Sequence, residues 1–190
     1  TFGSFNNLSK LTPQVINIWS KILTAIPNSH LLLKAQQFTY DKKRYLDLFQ
    51  QQGILKERIE LFGHLPNANE HLELYNSIDI CLDPFPFNGA TTTCEALWMG
   101  VPVITLAGKR HAGRVGASIL SNIGMTDLIA QNIDGYIEAA IKIAHDNSYL
   151  TDLKKNLRVK MLNSTLCDGA AFAKKIEQVY AEILNEDIKF

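Results

Sequence analysis

The chain carries no excess of charge of either sign. Lysine and arginine together number 19, and so do aspartate and glutamate, in a chain of 190 residues. A balanced chain has no long-range field that would attract nucleic acid or an anionic lipid surface. We therefore expect neither as a partner, and any anion that the protein binds must be held by local contacts.

Cysteine is also scarce, and its spacing does not suit a metal site. The cysteines are Cys81, Cys94 and Cys167, and an odd number of widely spaced cysteines argues against a disulfide framework. A reduced, cytoplasmic compartment is therefore predicted. No apolar run reaches the length of a membrane span, and the sequence shows no signal-peptide pattern. Because the chain begins at Thr1 in a polar segment, we expect a piece of a longer protein.

Apolar and polar stretches alternate along the first part of the chain in a way typical of α/β proteins. Thr12 followed by Pro13 is a typical helix start, and apolar residues then recur at helical spacing to Ile26. Short apolar runs without strict alternation indicate parallel strands covered on both faces. The predicted elements are strands at 30–33, 58–62, 79–82 and 101–106, and helices at 12–26, 41–52, 69–77 and 91–99.

From about Ala112 onward the chain carries only helical patterns. Apolar residues recur at every third or fourth position in 136–145, 150–162 and 170–184, which predicts amphipathic helices. The sequence contains no repeat, low-complexity tract or linker. We therefore predict a single domain over residues 1–190, with a Rossmann-like parallel sheet, helices on both faces and a helical C-terminal tail.

Ligands of open parallel sheets bind where the carboxyl ends of the strands lead into helices. Two segments, 63–71 and 83–95, follow predicted strands and are rich in Gly, Pro, His and Thr. We therefore expect the binding site to be formed by these two segments.

The stretch NGATTTCE combines small residues and hydroxyls at a predicted helix start. The first N–H groups of a helix have no internal partner, and the helix dipole makes that end partly positive. Gly89 and Ala90 would let an anion approach the backbone, while Thr91 and Thr92 could donate to phosphate oxygens. Glu95, one turn later, could accept from ribose hydroxyls. The pattern therefore predicts a nucleotide diphosphate at this helix start.

A simpler interpretation is that Thr91 only caps the helix and that Glu95 is a solvated surface residue, because hydroxyl caps are common. The chain contains neither the GK[ST] of a Walker loop nor a GxGxxG fingerprint. It also lacks an Asp-x-Asp pair that could hold a nucleotide-bound metal ion. These residues alone leave both interpretations open.

Three segments, which together cover essentially the whole chain, carry a family resemblance. They are FNNLSKLTPQVINIWSKILTAIPNSHLLLK, RIELFGHLPNANEHLELYNSIDICLD and DICLDPFPFNGATTTCEALWMGVPVITLAGKRHAGRVGAS. In this order they resemble the C-terminal catalytic lobe of the O-GlcNAc transferase and SPINDLY family of GT-B glycosyltransferases. The resemblance implies the donor-binding half of a two-lobed enzyme, whose other lobe and tetratricopeptide repeats contact the acceptor protein.

The resemblance also implies roles for the threonine-rich helix start. Thr91 and Thr92 would contact the diphosphate and Glu95 the ribose, although animal members carry Asp at the Glu95 position. Lys10, in FNNLSK, matches the lysine that neutralises the leaving diphosphate and is the expected catalytic residue. Since negative charge builds on the departing diphosphate, a lysine beside a helix N-terminus suits this chemistry without a metal ion or other cofactor.

Other matched positions would surround the rest of the donor. Asn7 lies where the family often has a Gln, His71 matches a histidine packed against the nucleobase, and the backbone around Pro66 would contact the edge of the base. His71 could equally have its ring in solvent. His111 and Arg114 follow the fourth predicted strand and could line the phosphate end, or Arg114 could form a surface ion pair.

The resemblance predicts the donor-binding lobe of an inverting, metal-independent protein O-glycosyltransferase, with UDP-GlcNAc favoured and a Ser or Thr hydroxyl as acceptor. Animal members carry a histidine at the Ala90 position and a lysine near Ala68, and this chain has neither. The TTTCE stretch with Ala or Gly before it is more like bacterial and plant SPINDLY-type members, some of which use GDP-fucose. Protein O-fucosylation, a non-protein acceptor and a non-catalytic scaffold are therefore alternatives, while a redox Rossmann domain lacks its glycine fingerprint. Alone, the domain should bind nucleotide weakly and transfer nothing.

Overall fold

A parallel β-sheet forms the centre of the molecule in a computed structural model that describes residues 1–185. Its strands are β1 (Phe2–Ser4), β2 (Leu31–Lys34), β3 (Ile59–Phe62), β4 (Ile80–Leu82), β5 (Val103–Leu106) and β6 (Ile129–Ala130). They lie in the order β3-β2-β1-β4-β5-β6, and all neighbouring strands run parallel. The predicted α/β class with a parallel sheet is confirmed. Residues 186–190 of the predicted domain lie outside the described range.

Helices cover both faces of this sheet. They are α1 (Pro13–Ala25), α2 (Lys42–Gln51), α3 (Ala68–Glu73), α4 (Thr91–Trp98), α5 (Val115–Asn122), α6 (Ile133–His145), α7 (Asn147–Leu162) and α8 (Gly169–Asn185). Helix α1 packs against α2 and α6, whereas α4 packs against α5 and α7. Because parallel crossovers are right-handed, connections that leave the sheet centre in opposite directions place their helices on opposite faces.

Helix α1 shows how the sequence determines these elements. The Thr12 hydroxyl accepts from the Val15 N–H at 3.3 Å, and Pro13 occupies the first helical position, as predicted. The helix buries Trp19, whose Nε1 donates to the Tyr136 hydroxyl at 3.1 Å. That hydroxyl donates in turn to the Asp83 carbonyl at 3.0 Å, so α1 and α6 fix the backbone just after β4.

The sequence pattern misses two of the strands. The opening segment, expected to be polar, contains the buried strand β1, where a Cβ on Gly3 would lie 2.2 Å from Ile78 Cδ1. The expectation of only helical structure after Ala112 is wrong at β6. Strand β1 has Gly and Ser beside its one large apolar residue, and β6 has only two residues, so neither forms an apolar run that a sequence pattern could reveal.

The predicted C-terminal helices are confirmed to within a few residues. Helix α7 packs against α4, but α8 leaves large apolar side chains exposed, including Phe172, Tyr180 and Leu184. The predicted helix at 69–77 is α3 followed by a 3₁₀ turn at Leu74–Ser77. Within residues 1–185, no helix has both the length and the apolar character needed to cross a bilayer.

Strands β1 and β4 are neighbours at the middle of the sheet, where the direction of chain connection reverses. Ligands of doubly wound sheets bind in the crevice at such a switch point, beyond the carboxyl ends of the strands. Residues 5–10 and 83–90 follow β1 and β4 and therefore meet there. Because β1 is not apparent in the sequence, pattern analysis alone places only the segments after β3 and β4 at this edge.

Candidate functional site

Lys10 ends a short 3₁₀ turn after β1 and reaches across to the loop that follows β4. Its ammonium donates to the Asn88 carbonyl at 2.8 Å and to Asn6 Oδ1 at 3.2 Å, and it lies 4.2 Å from the centre of the Phe87 ring. Partial burial lowers the pKa of Lys10, while the charge of Asp83 opposes this shift. Within residues 1–185 it has no carboxylate partner in a salt bridge. The site therefore presents a partly desolvated cation with capacity for an anion.

The start of helix α4 lies beside this lysine. The residue at the N-cap position is Ala90, which has no side-chain acceptor, so the interpretation of Thr91 as the cap is wrong. Both residues are exposed. The Thr92 hydroxyl donates to Asn6 Oδ1 at 3.2 Å, the same atom that accepts from Lys10. A hydroxyl and an ammonium thus share one amide oxygen, beside a helix start whose N–H groups lack a side-chain cap.

A buried carboxyl group holds the loop that leads into α4. Asp83 Oδ1 accepts from the Gly89 N–H at 2.6 Å, and Oδ2 accepts from the Thr105 hydroxyl at 2.6 Å. Burial raises the pKa of Asp83 to about 7, although both hydrogen bonds act in the opposite direction. A Cβ on Gly89 would lie 2.6 Å from Thr92 Oγ1, which explains why this position requires glycine.

The nucleoside end predicted from the sequence is built around Glu95 on α4. His71 Nε2 lies 3.0 Å from Glu95 Oε2, and the Tyr75 hydroxyl donates to the same oxygen at 3.3 Å. The side chains of His71 and Glu95 are 17% and 26% exposed, so neither is the solvated surface group of the simpler interpretation. Phe5, directly after β1, packs its ring 5.6 Å from His71 and 4.3 Å from Tyr75.

An open, mainly apolar cavity of about 330 Å³ borders the His71–Glu95 pair. This volume is within the range of small-molecule sites, roughly 300 to 1,000 Å³. Cys94 is half-buried and lines the cavity. The lining residues are Ala68, His71, Leu72, Cys94, Glu95, Trp98 and Met161. The cavity offers a surface for a flat ring next to the histidine.

The remaining predicted residues lie around this centre rather than in it. Asn7 is exposed and caps the 3₁₀ turn, its Oδ1 accepting from the Ser9 N–H at 2.9 Å. Pro66 is exposed in the loop between β3 and α3. His111 and Arg114 line a separate cavity of about 480 Å³. Within residues 1–185 Arg114 forms no ion pair, so the alternative role as a surface salt-bridge partner is not observed.

Three residues that hold the site together are absent from the sequence-based predictions, namely Asn6, Tyr75 and Asp83. Asp83 had a usable signal, because it is an acidic residue placed directly after the apolar run ICL. Tyr75 is four residues after His71, a spacing that brings two side chains to one helix face. Asn6 could be recognised only once β1 was known.

Solved structures of other proteins show to which class of fold this sheet and its helices belong. A solved structure of a Thermobaculum terrenum O-GlcNAc transferase mutant superposes with a TM-score of 0.89 and 37% identity, covering 94% of this chain and 35% of that one. A UDP-forming α,α-trehalose-phosphate synthase of Burkholderia vietnamiensis shares the fold alone, with a TM-score of 0.58 and 12% identity over 93% of this chain and 45% of that one. The sheet and helices are therefore those of a GT-B glycosyltransferase catalytic lobe.

The family follows from the sequence comparisons. The model of glycosyl transferase family 41 matches residues 1–176. A Solanum lycopersicum protein, named as a probable UDP-N-acetylglucosamine–peptide N-acetylglucosaminyltransferase SPINDLY, is 44% identical over 95% of this chain and 20% of its own length. The Caenorhabditis elegans UDP-N-acetylglucosamine–peptide N-acetylglucosaminyltransferase is 28% identical over 96% of this chain and 16% of its own length. The chain belongs to glycosyl transferase family 41, and it spans about a fifth of the length of these curated relatives.

Proposed function

We propose that the chain is the donor-binding lobe of an inverting, metal-independent protein O-glycosyltransferase that takes GlcNAc from UDP-GlcNAc. The observation that carries the proposal is the partly buried ammonium of Lys10, which faces the uncapped start of α4 and has no salt-bridge partner within residues 1–185. The family membership supplies the reaction class. The acceptor would be a Ser or Thr hydroxyl of a protein.

The chemistry of glycosyl transfer requires charge stabilisation at the leaving group. As the bond from the sugar to the diphosphate breaks, negative charge develops on the diphosphate, and fixed positive groups aimed at it lower the barrier. Lys10 would act as the catalytic residue, and the N–H groups of Ala90, Thr91 and Thr92 would bind the phosphate oxygens. Charge from these groups is sufficient for the proposal, which requires no metal ion. Within residues 1–185, no three His, Cys, Asp or Glu side chains are grouped as metal ligands.

The nucleoside would occupy the other end of the site. Glu95 would accept hydrogen bonds from the ribose, and His71 would pack against the base beside the apolar cavity. The backbone around Pro66 would then contact the base edge. Asn7 would lie close to the donor. His111 and Arg114 would contact the phosphates only if the donor extends toward the separate cavity that these two residues line.

The donor sugar is the part of the proposal with a specific alternative. The relatives cited above are named for UDP-N-acetylglucosamine, which favours that donor. The chain is, however, more similar to the SPINDLY protein than to the animal enzyme, and it lacks the histidine at the Ala90 position and the lysine near Ala68 that the family resemblance gives to animal members. Transfer of fucose from GDP-fucose is therefore the second candidate.

Calorimetric titration of the chain separates these possibilities. We expect weak but measurable binding of UDP and UDP-GlcNAc and much weaker binding of GDP and GDP-fucose; the reverse order would support the fucose alternative. Lys10→Ala should weaken binding about 100-fold, whereas Lys21→Ala, at an exposed position on α1, is the matched control and should bind normally. If the wild-type chain binds none of these nucleotides, the proposal fails and a scaffold role is favoured. Binding of NAD alone would indicate a redox domain.

The acceptor depends on parts of the protein beyond these residues. We propose that a second lobe preceded by tetratricopeptide repeats binds the acceptor protein, and that the protein acts in the cytoplasm. Comparing protein glycosylation in cells with and without the full-length protein tests this. Loss of O-linked GlcNAc from Ser or Thr is expected, whereas a change confined to lipids or polysaccharides would overturn the protein acceptor.

A further inference from the structure

We propose that Tyr75 is a positioning residue for nucleotide binding: with His71 it fixes the Glu95 carboxylate so that one carboxylate oxygen remains available to the ribose. This inference rests on the proposed function, which assigns the ribose to Glu95. It adds a residue that has no role in the family resemblance described above.

The distribution of hydrogen bonds on Glu95 is the first support. His71 Nε2 and the Tyr75 hydroxyl both contact Oε2, at 3.0 and 3.3 Å. Within residues 1–185, Oε1 has no hydrogen-bond partner. An ionised carboxylate has about four acceptor positions, so holding it through one oxygen leaves the other free. A ribose presents adjacent hydroxyls, which suit an acceptor that is already oriented.

The state of the Tyr75 hydroxyl is the second support. Tyr75 is 1% exposed, and burial raises its pKa far above the usual range, so the hydroxyl keeps its proton. It has one proton to donate and lies 3.3 Å from both Glu95 Oε2 and the Thr92 carbonyl. The charged carboxylate is the stronger acceptor of the two. Tyr75 therefore serves as a constant donor to Glu95.

The position of the ring is the third support. Tyr75 packs 4.3 Å from Phe5 and 5.6 Å from His71, measured between ring centres. The ring is thereby held between one residue that follows β1 and one residue of α3, while its hydroxyl contacts α4. Tyr75→Phe would keep this packing and remove only the hydroxyl, so a loss of function in this variant would report on the hydrogen bond.

The test is the preference of the chain for ribonucleotides over 2′-deoxyribonucleotides. We would measure by calorimetry the binding of UDP and 2′-deoxy-UDP, and of GDP and 2′-deoxy-GDP. The proteins compared are the wild type, Tyr75→Phe, Glu95→Gln and the variant that carries both substitutions. The wild type should prefer the ribonucleotide by about tenfold, and Tyr75→Phe should reduce this preference to about threefold, because Glu95 loses one of its two orienting contacts and keeps that of His71. Affinity for the deoxynucleotide should stay unchanged.

Two controls distinguish positioning from general destabilisation. In the Glu95→Gln background, Tyr75→Phe should have no further effect on the preference, because residues that act as a unit are non-additive. Tyr149, on helix α7 and away from the site, donates its hydroxyl hydrogen bond to the Asp127 carboxylate. Tyr149→Phe therefore removes a hydrogen bond of the same kind elsewhere in the molecule. It should leave the preference at its wild-type value.

Each contrary result has a defined meaning. Equal weakening of both nucleotides by Tyr75→Phe, or additive effects in the double variant, would overturn the role of Tyr75. A wild type that binds both nucleotides equally would overturn it as well, since Glu95 would then not contact the ribose 2′-hydroxyl, while nucleotide binding itself would stand. Only a complete lack of nucleotide binding would remove the proposed function along with this inference.

Discussion

The two ends of the site are built in different ways. At the proposed phosphate end, Lys10 is held by two neutral oxygens, those of Asn6 and Asn88, and has no salt-bridge partner within residues 1–185. At the proposed nucleoside end, Glu95 already accepts hydrogen bonds from His71 and Tyr75. One end therefore carries a cation without a salt bridge, and the other a carboxylate that is oriented by its neighbours.

This difference suggests that the two ends contribute differently to affinity and to selectivity. A partly desolvated cation beside a helix N-terminus supplies strength to any diphosphate, whatever is attached to it. An oriented carboxylate and packed rings discriminate between ligands, because their hydrogen bonds require particular groups in particular places. We expect affinity to depend mainly on the phosphate end and selectivity mainly on the nucleoside end.

The strongest test of this division is Lys10→Ala. We expect about a 100-fold loss of UDP affinity, because the diphosphate would lose the charge-assisted contacts of the Lys10 ammonium. Inorganic pyrophosphate should lose affinity by a similar factor, whereas binding of uridine should be unaffected. Competition calorimetry with the three ligands measures this. Similar losses for uridine and UDP would show that the variant damages the whole site.

The second prediction concerns the stability of the loop behind the phosphate end. Burial raises the pKa of Asp83 to about 7, so the folded state binds more protons than the unfolded state between about pH 4 and pH 7. Stability should therefore fall as the pH rises through this window and level off above it. The loss should be about 2 kcal/mol, since the loop can relax around the ionised group and reduce the full linkage value.

Urea unfolding of the wild type and Asp83→Asn across this pH range isolates the contribution of Asp83. The Asn variant has nothing to titrate at this position, so its stability curve should be flatter by the predicted amount. Identical slopes for the two proteins would contradict a raised pKa of Asp83 in the folded state.

The third prediction tests the nucleoside end. Glu95→Gln should weaken UDP about tenfold, because a neutral amide is a poorer acceptor for ribose hydroxyls than a carboxylate. Pyrophosphate affinity should not fall. The contrast with Lys10→Ala is the informative measurement, and equal losses of pyrophosphate and UDP affinity in Glu95→Gln would remove the division between the two ends.

The smallest expected effect is that of Thr92→Val. In the structure its hydroxyl makes one neutral hydrogen bond, to Asn6 Oδ1, and valine keeps the branched shape of the side chain. We expect a loss of about threefold in UDP affinity, measured by the same titration, because Lys10 and the N–H groups of the helix start would still hold the diphosphate, and no change in the free energy of unfolding beyond about 1 kcal/mol. A loss as large as that of Lys10→Ala would mean that hydroxyl contacts, not charge, hold the diphosphate.

Sequence patterns predicted much of the fold because most elements are long enough to show a period. Helix α1 has its cap, its proline and seven buried residues within a single run, and strands β2 to β5 are apolar runs bounded by turns. Strand β1 forms no such run, because Phe2 is the only large apolar side chain among its three residues and polar asparagines follow soon after. Its recognition depends on pairing with β2 and β4, a long-range property.

The site was predictable to the extent that its chemistry is local. The helix start at Thr91 and Thr92 is contained in one stretch of sequence, and so was anticipated. The contacts of Asn6 with Lys10 and Thr92, and of Tyr75 with Glu95, join segments that only the folded sheet brings together. No local pattern encodes them.

The order in which strands are added to the sheet changes direction between β1 and β4, and this has a consequence for folding. Lys10 and Asn88 are separated by 78 positions in sequence, yet the Lys10 ammonium donates to the Asn88 carbonyl where the segments that follow β1 and β4 meet. A nucleotide bound there would link the first ten residues to the middle of the chain, and would bind only molecules in which both halves of the sheet have docked. Amide protons in β1 and β4 would then exchange more slowly in its presence, by the same factor in both strands, while those of α8 would keep their original rates.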